Sequence, residues 1–375
     1  LLGRYLTDFP WRLRSWRDRR LTCGSAGIAR FRQAMMQRNL PLWRSTRLVE
    51  LVCEQGRVQG LIVEREGRQL AIQARRGVVL ATGGFDKNQQ MRMQYLPEPT
   101  DARWSAGVDT AQGDGVRAGL AVGGALARMN GAWWCSTYCV PGAAVPYLAI
   151  IDKCSPGSCV VNRKGRRIGN ESQNYMSYML GAFAAHSDEN PSSPAYMVFD
   201  AKFRSKYMVG PLLTSRVRPD FMLPRRYFDE GLLAKADSIT ELASRTGIDP
   251  EGLGKTISRM NVYARTGKDL EFSRGDSAYD RYYGDPRCKP NPCLATIEKP
   301  PFYAVRVELG DFGTHGGLVT DVWGQVRRDS GEPIPGLYAI GNTAAALLPT
   351  YPVPGSTLGP AMVFGYRAAL HMAGE

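Results

Sequence analysis

Near the C-terminal end the sequence reads Gly336-Leu337-Tyr338-Ala339-Ile340-Gly341-Asn342, a short apolar run that closes on Gly-Asn. A second segment follows, Thr350-Tyr351-Pro352-Val353-Pro354-Gly355-Ser356-Thr357-Leu358-Gly359-Pro360, and it leads into a helix-like stretch over residues 361–369. A strand, a glycine-rich turn and a helix in this order place the backbone amides of the helix start beside the strand end, where they can bind a ligand. This stretch therefore predicts an α/β fold with a site at the turn.

The same stretch offers two hydrogen-bond donors for a carbonyl oxygen. Tyr351 has a phenol hydroxyl, and Gly355, four residues later, has a backbone amide that no side chain shields. Gly341, Gly355 and Gly359 would let the main chain approach a planar ligand closely. The alternative is an ordinary turn of an α/β protein, in which Tyr351 merely caps a loop.

Two earlier glycine-containing segments could also lie beside a ligand, one at the end of a predicted strand and one at the start of a predicted helix. Residues 77–85 form a continuous apolar run that reaches Gly83-Gly84, a pattern typical of a buried parallel strand whose end meets a ligand. Gly113-Asp114-Gly115 opens a predicted helix that is rich in alanine and glycine over residues 116–127. Each has an ordinary structural explanation, because Gly-Gly forms tight turns and such tripeptides commonly cap helices.

Taken in order, these segments resemble the flavin-dependent 3-ketosteroid dehydrogenases, in particular the 1-dehydrogenase branch of the fumarate reductase-like flavoproteins. Similar irregular loop segments are Pro290-Asn291-Pro292-Cys293-Leu294, Pro301-Phe302-Tyr303-Ala304-Val305 and Gly313-Thr314-His315-Gly316-Gly317-Leu318. The resemblance covers essentially the whole chain. One departure is Val353, where the family motif usually has glycine.

The resemblance implies a Rossmann-like FAD-binding domain with an inserted α+β substrate and catalytic domain. We expect the FAD-binding domain to occupy residues 1–135 and to return at 312–375, with the inserted domain at 136–311. Neither a Gly-x-Gly-x-x-Gly motif nor an acidic residue ending a second strand is found. In the family these elements precede the point where this sequence begins, so the FAD-binding domain is expected to be incomplete at its N-terminus.

The expected cofactor is FAD. The resemblance assigns cofactor contacts to positions in the motifs and near them, namely Val49, Ala81, Thr82, Gly83, Gly84, Asp114, Gly341, Asn342, Ser356, Thr357 and Leu358.

The implied reaction is 1,2-desaturation of a 3-ketosteroid, which needs a base, donors for the enolate oxygen and a hydride acceptor. The resemblance assigns the donors to Tyr351 and Gly355 and the base to Tyr175, while flavin N5 accepts the hydride. A free phenol has a pKa of about 10, so Tyr175 needs a neighbouring donor or positive charge. Tyr207 is the second candidate for the base, because the nearby cations Arg204 and Lys206 would lower the pKa of its phenol. Apolar candidates for the substrate walls are Ile150, Ile151, Met179, Leu212 and Leu213.

Other functions are compatible with the same scaffold. A 3-ketosteroid 4-dehydrogenase resembles Tyr-x-Ser-Gly at the C-terminal loop, whereas this chain has Tyr-x-x-x-Gly. A fumarate-type reductase needs arginine and histidine for carboxylates, and this chain has three histidines. A non-enzymatic remnant that binds nothing is a third possibility.

Composition limits the partners. The net charge is +13, with the densest basic group at Arg12, Arg14, Arg17, Arg19 and Arg20, near Trp11 and Trp16. We interpret this group as a solvated face or a weak attraction to acidic surfaces, and we expect no nucleic-acid partner and no membrane span. The expected partners are a hydrophobic steroid and an external electron acceptor such as a quinone. The cysteine spacings lack the two-residue gap of zinc or redox sites, so we expect no metal and reduced, mostly buried thiols in a cytoplasmic protein.

Overall fold

The fold is described from a computed structural model, in which residues 8–15 and 20–374 are described except for the side chains of Arg12 and Cys23. The chain divides into two compact units, Leu1–Arg47 with Glu64–Leu70 (unit 1), and Leu48–Val63 with Ala71–Glu375 (unit 2). Two arginines of the predicted basic group lie outside the described residues, namely Arg17 and Arg19, as does the neighbouring Trp16.

The helices are α1 (Phe9–Arg12), α2 (Cys23–Gln37), α3 (Gln89–Tyr95), α4 (Asp114–Ala121), α5 (Tyr175–Ala184), α6 (Ala201–Lys206), α7 (Arg226–Asp229), α8 (Ile239–Thr246), α9 (Pro250–Thr266), α10 (Ala278–Tyr282) and α11 (Leu358–Ala373). The predicted helix over 116–127 is therefore too long at its C-terminal end. It ends at Ala121 because Gly123 has a positive φ and residues Leu126–Ala127 pair as a strand.

The strands are β1 (Thr46–Glu54), β2 (Arg57–Arg65), β3 (Arg68–Gln73), β4 (Val78–Leu80), β5 (Leu126–Ala127), β6 (Ala132–Trp134), β7 (Thr137–Tyr138), β8 (Tyr147–Leu148), β9 (Ser158–Asn162), β10 (Ala195–Asp200), β11 (Leu233–Ala236), β12 (Phe302–Val307), β13 (Asp311–Thr314), β14 (Gly317–Leu318), β15 (Gln325–Arg327) and β16 (Pro333–Ala339). Strands β1, β2 and β3 form a three-stranded sheet in that order.

A second three-stranded sheet, in the order β15-β16-β4, carries the two glycine-ended segments. The predicted parallel strand is confirmed, because β4 pairs in parallel with β16 and Leu80 lies opposite Ala339. Leu80, Leu337 and Ala339 are buried in one apolar core cluster. The carboxyl ends of both strands therefore meet at one edge of the sheet.

The largest sheet has the order β11-β12-β10-β9 and is antiparallel in each pairing. Its central strand β10 is buried at every position, because both faces of the sheet are covered. Met197 and Phe199 point into one core cluster, while Tyr196 and Val198 point into another that includes residues of α8 and α9. This sheet lies within residues 136–311, the predicted inserted domain.

A buried polar cluster lies behind the Gly83-Gly84 segment. Arg92 donates to Asp311 at 2.7 Å and to the Asp86 carbonyl at 3.0 Å. The Ser105 hydroxyl lies 2.7 Å from an Asp311 oxygen and 3.0 Å from an Asp86 oxygen. Asp86 is 2% exposed, and within residues 8–15 and 20–374 no cation pairs directly with its carboxylate, so burial, together with the charge of Asp311, raises its pKa to about 6.

This raised pKa predicts a pH dependence of folding stability. Because folded Asp86 holds its proton more tightly than the unfolded chain does, the free energy of unfolding should fall as the pH rises from about 4 to about 6, on the order of 3 kcal/mol in total. Urea unfolding across this range measures it. Asp86→Asn should largely abolish the fall, whereas Asp188→Asn, at an exposed carboxylate, should leave it intact. An equal fall in the wild type and in Asp86→Asn would contradict the assignment.

Candidate active site

Two loops leave the sheet side by side where β4 and β16 end. The Ile340 amide donates to the Leu80 carbonyl at 3.0 Å, so residues 81–84 and Gly341-Asn342 emerge at the same edge. Leu80 is buried, yet Ala81 and Thr82, which follow it directly, are exposed. Small exposed residues at the carboxyl end of buried parallel strands are typical of a ligand-binding edge.

Threonine side chains connect these loops. Thr343 donates to the Gly83 carbonyl at 3.0 Å, and Thr82 Oγ1 accepts the Gly115 amide at 3.1 Å. Because Gly115 lies in the first turn of α4, this contact places the start of that helix at the same edge. Asp114, the first residue of α4, pairs with Arg117 at 2.5 Å.

Gly84 is required by close packing. A Cβ at this position would lie 2.0 Å from Thr314 Oγ1, and Thr314 is fully buried and accepts the Phe85 amide at 3.0 Å. The threonine could rotate away only by giving up that hydrogen bond. The segment Ala81–Gly84, with four of the predicted cofactor contacts, therefore has one well-defined path.

We expect Gly84→Ala to weaken FAD binding by about tenfold or more and to lower the Tm, because overpacking costs about 1–3 kcal/mol and displaces the loop. Flavin fluorescence titration and thermal unfolding measure the two effects. The matched control is Gly254→Ala in α9, where an added Cβ meets nothing within 4 Å. Unchanged FAD affinity in Gly84→Ala would exclude a cofactor role for this loop.

A cavity of about 560 Å³ lies beside the Gly341-Asn342 loop. Four predicted cofactor contacts line it, namely Gly341, Asn342, Ser356 and Thr357. Trp133 and Phe364 contribute apolar walls, and Trp133 Nε1 donates to Asn342 Oδ1 at 3.2 Å. Helix α11 begins at Leu358 without a side-chain cap, while the Gly359 amide donates to the Gly355 carbonyl at 2.8 Å and Pro360 has no amide hydrogen. Flat apolar walls with backbone donors fit a flavin ring, and this observation supports the predicted cofactor.

The predicted donor pair lies together at this end of the chain. The Gly355 amide donates to the Tyr351 hydroxyl oxygen at 3.2 Å. Gly355 has a φ of 97°, a conformation that favours glycine, and Ser356 donates to the Val353 carbonyl at 2.6 Å to close the turn. Val353 is exposed and its side chain takes no part in these turn contacts. The phenol oxygen and the amide nitrogen therefore lie within hydrogen-bond distance of each other.

Aromatic rings surround Tyr351. Its ring lies 5.6 Å from Trp133, 5.8 Å from Phe312 and 5.6 Å from Tyr175, measured between centroids. Asn174 donates to the Tyr351 carbonyl at 3.3 Å and also caps α5, the helix that begins with Tyr175. The structure thus brings together all three predicted catalytic residues.

The surroundings of Tyr175 are apolar. Burial, followed by the charge and hydroxyl of Tyr351, raises the pKa of Tyr175 well above its ordinary value. Its aromatic neighbours are Phe312 and Tyr351. Within residues 8–15 and 20–374, these contacts provide no positive charge of the kind that would make Tyr175 a base near neutral pH.

The prediction that Arg204 and Lys206 lower the pKa of Tyr207 is wrong. The Tyr207 hydroxyl donates to Asp285 at 2.8 Å, and burial with this carboxylate raises the pKa of the phenol. Arg204 turns away from Tyr207 and donates to the carbonyls of Leu213 and Arg218. The ring of Tyr207 packs on Phe203, and its hydroxyl, held by Asp285, is not available as a base.

Several other predicted residues lie at different places. Val49 is an exposed residue of β1, in the β1-β2-β3 sheet, and Leu358 is exposed at the start of α11. Met179 and Leu212 are buried core residues, whereas Ile151 and Leu213 are exposed. The substrate walls proposed from sequence are therefore a mixture of core and surface positions.

The sequence reasoning missed Trp133, Phe312, Asn174 and His315. Asn174 directly precedes Tyr175 and could have been identified as a helix cap. His315 lies in a segment that carries the resemblance, and its Nε2 lies 2.6 Å from the Leu348 carbonyl, so it fixes the loop that leads to Tyr351. Burial lowers the pKa of His315. Trp133 and Phe312 had no local signal, because they reach the site through the pairing of β6 with β13.

Cysteine and metal chemistry give no alternative site in the part of the chain that the structure describes. Seven cysteines are free, and of these Cys135, Cys154, Cys159 and Cys293 are buried. No cluster of three or more His, Cys, Asp or Glu side chains suited to a metal ion occurs among the described residues. Within the same residues, no helix is both long and apolar enough to cross a membrane.

Comparison with known proteins identifies the family. The model of the FAD binding domain family matches residues 4–358. A 3-oxosteroid 1-dehydrogenase of Mycobacterium tuberculosis is 41% identical over 94% of this chain and 63% of its own length. The structure of 3-ketosteroid delta1-dehydrogenase from Sterolibacterium denitrificans, in complex with 1,4-androstadiene-3,17-dione, aligns with a TM-score of 0.95 and 44% identity, over 100% of this chain and 67% of that one.

A flavocytochrome c3 fumarate reductase aligns with a TM-score of 0.65 and 25% identity, over 94% of this chain and 56% of that one. The chain thus spans less than two thirds of the length of the curated relative. The family match, the glycine-lined edge and the cavity beside α11 agree on the cofactor, which is FAD. The fold is the FAD-binding, fumarate reductase-like fold that the 3-ketosteroid delta1-dehydrogenase structure also has. The chain belongs to the FAD binding domain family.

Proposed function

We propose that the protein is a flavin-dependent oxidoreductase that introduces a 1,2 double bond into a 3-ketosteroid. The observation that carries this proposal is the convergence of the Tyr351 hydroxyl and the Gly355 amide, 3.2 Å apart, beside the ring of Tyr175. A ketone oxygen placed at the Tyr351 hydroxyl accepts its proton and comes within reach of the Gly355 amide. The relatives named above, whose names state this activity, support the substrate class.

Tyr351 and Gly355 act on the ketone oxygen. As the proton leaves C2, negative charge develops on this oxygen, and donors aimed at such charge stabilise the transition state by about 3 kcal/mol each. In the structure the Gly355 amide donates to the phenol oxygen of Tyr351. This amide has one hydrogen, so a ketone oxygen that accepts it takes the place of the phenol oxygen as its acceptor.

Tyr175 is the proposed base for the C2 proton. Its ring lies 5.6 Å from that of Tyr351, which sets its hydroxyl near a substrate whose ketone is held by Tyr351. FAD, when bound, supplies the hydride acceptor for C1. Because the pKa of Tyr175 is raised, the reaction should speed up as the pH increases through the alkaline range.

The aromatic walls favour an apolar ring over a dicarboxylate. Trp133, Phe312 and Tyr175 surround Tyr351, and none of these side chains can neutralise a carboxylate. Fumarate-type reduction would require cations at the same place. These walls accommodate both 1,2- and 4,5-desaturation, and the position of the new double bond in the product identifies which of the two occurs.

We also propose that the protein acts in the cytoplasm and passes its electrons to an external acceptor such as a quinone. The free and largely buried thiols are compatible with a reducing compartment. The quinone is proposed from the resemblance alone.

The FAD-loaded protein should be incubated with 5α-androstane-3,17-dione and an artificial electron acceptor. This substrate has no ring double bond, so the product reports where hydrogen is removed. The 1-ene is the expected product, whereas the 4-ene would identify a 4-dehydrogenase. A protein that binds no flavin, judged from its visible absorbance, would instead be the non-enzymatic remnant.

A further inference from the structure

The side chain of Asn174 connects the two parts of the proposed catalytic site. Its Oδ1 accepts the Met176 amide at 3.0 Å and so caps α5, the helix that begins with Tyr175. Its Nδ2 donates to the Tyr351 carbonyl at 3.3 Å and to the Tyr279 hydroxyl at 3.2 Å. One amide group therefore holds both the start of α5 and the loop that carries Tyr351.

The partners fix the orientation of this amide group. A backbone N–H only donates and a backbone carbonyl only accepts, so the oxygen faces Met176 and the nitrogen faces Tyr351. Serine and aspartate can also cap a helix start, because each has an oxygen that accepts an amide. The serine hydroxyl, however, ends one bond closer to the backbone, and an ionised aspartate has no hydrogen to donate. Only the asparagine both caps the helix and donates to the loop.

The backbone in front of Asn174 is anchored to the four-stranded sheet. Lys153 is 1% exposed and donates to the Glu171 carbonyl at 2.8 Å and to the Gln173 carbonyl at 3.0 Å. The Glu171 carboxylate accepts the Val160 amide of β9 at 3.1 Å. These buried contacts fix the backbone from which the Asn174 side chain extends.

The loop that carries Tyr351 has fewer anchors of this kind. Among the described residues, two hydrogen bonds connect residues 347–352 to side chains elsewhere in the chain. His315 Nε2 lies 2.6 Å from the Leu348 carbonyl, and Asn174 donates to the Tyr351 carbonyl. Without the Asn174 contact, packing of its aromatic ring would be the main restraint on Tyr351.

We propose that Asn174 is a positioning residue that sets the distance between the base and the ketone site. This inference rests on the proposed function, in which Tyr175 takes the C2 proton while Tyr351 holds the ketone oxygen. Both groups act on one substrate, so a shift of either by about 1 Å can lower the rate by about 100-fold. The Asn174 amide keeps the two in a single arrangement, because it links the start of α5 to the Tyr351 backbone.

Two substitutions remove the bridge and keep the cap. Asn174→Asp retains an acceptor at the start of α5, where a negative charge is also favourable, and Asn174→Ser retains an acceptor without adding charge. In the FAD-loaded protein, both should lower kcat per bound flavin by about 10- to 100-fold. The KM for the steroid should change by less than about threefold, because the loss falls on the transition state. The Tm should stay near that of the wild type.

The matched control is Ser238→Ala, which removes the N-cap of α8, a helix that packs in the other core cluster of the four-stranded sheet. It should lower the Tm and leave kcat per bound flavin unchanged. Structural damage alone reduces the Tm and the flavin content, whereas lost positioning reduces the turnover of each bound flavin. The comparison of these variants therefore separates the two roles.

A double-mutant cycle shows whether Asn174 acts through Tyr351. Asn174→Ser should cost much less turnover when Tyr351→Phe is already present than it costs in the wild type, because effects that share one path are not additive. In the single variant, log kcat should still rise with pH, since Tyr175 remains as the base.

Hydrogen exchange tests the bridge without turnover. In Asn174→Ser, the amides of Tyr351, Val353 and Gly355 should exchange about threefold to tenfold faster than in the wild type, the effect of losing one hydrogen bond. The amides of β9 should be unchanged. This measurement needs no steroid, so failure of the bridge and failure of the proposed function remain distinguishable.

Four results would overturn the proposal. The first is wild-type kcat per bound flavin in both Asn174→Asp and Asn174→Ser, and the second is an equal loss of turnover in Ser238→Ala. The third is a fully additive loss on combination with Tyr351→Phe. The fourth is unchanged exchange of the loop amides in Asn174→Ser.

Discussion

Replacing Tyr351 with phenylalanine should lower kcat for a 3-ketosteroid by about 10²–10³-fold, the usual cost of losing one donor to a developing oxyanion. The ring keeps its contacts with Trp133 and Phe312, so the fold should be unaffected. The Gly355 amide loses its acceptor at the same time. Steady-state turnover with an artificial electron acceptor measures the effect.

The control for this variant is Tyr366→Phe on α11, at a side chain that is 67% exposed. Its activity should match that of the wild type, and both variants should bind FAD normally. Wild-type turnover in Tyr351→Phe would remove this phenol from the reaction, and with it the observation on which the proposed function rests.

The second large effect concerns Tyr175. Tyr175→Phe should lower kcat by about 10²–10⁴-fold, because the general base for the C2 proton is lost. For the wild type, log kcat should rise with pH through the alkaline range, since the raised pKa keeps the phenol protonated near neutrality. In the variant the remaining rate should no longer follow this rise. The pH profiles of the two proteins measure the difference.

Tyr207→Phe is the matched comparison for Tyr175→Phe, because it removes the other phenol considered for the base. Tyr207 donates to Asp285 and packs on Phe203, so its variant should keep wild-type turnover and pH dependence. A collapse of activity in Tyr207→Phe, with Tyr175→Phe remaining active, would reverse the two assignments. A wild-type profile that levels off near neutral pH would show that another group lowers the pKa of Tyr175.

The fold could be predicted well wherever local sequence determines it. The apolar run over 77–85 predicted a buried parallel strand, and the pairing of β4, which lies within this run, with β16 confirms it. The FAD-binding family, expected from the motifs, is also confirmed. The helix after Gly113 was extended too far, because alanine-rich sequence favours helix beyond Ala121 although Gly123 and Gly124 stop it.

The site was harder to predict, because its members come from distant parts of the chain. The approach of Tyr175 to Tyr351 and Phe312 depends on how α5, β13 and the C-terminal turn pack. No spacing in the sequence reports this packing. The error at Tyr207 has the same origin, since sequence neighbours suggested cations, whereas the folded chain supplies Asp285. Proximity in sequence is a poor guide to the charge that a side chain meets.

The most direct measurement is anaerobic reduction of the flavin in the FAD-loaded protein by androst-4-ene-3,17-dione. If Tyr351 and Gly355 hold the ketone while Tyr175 takes the C2 proton, the visible flavin absorbance should disappear as the 1,4-diene forms in equal amount. A protein that binds FAD but keeps it oxidised in the presence of every 3-ketosteroid tested would contradict the proposed function.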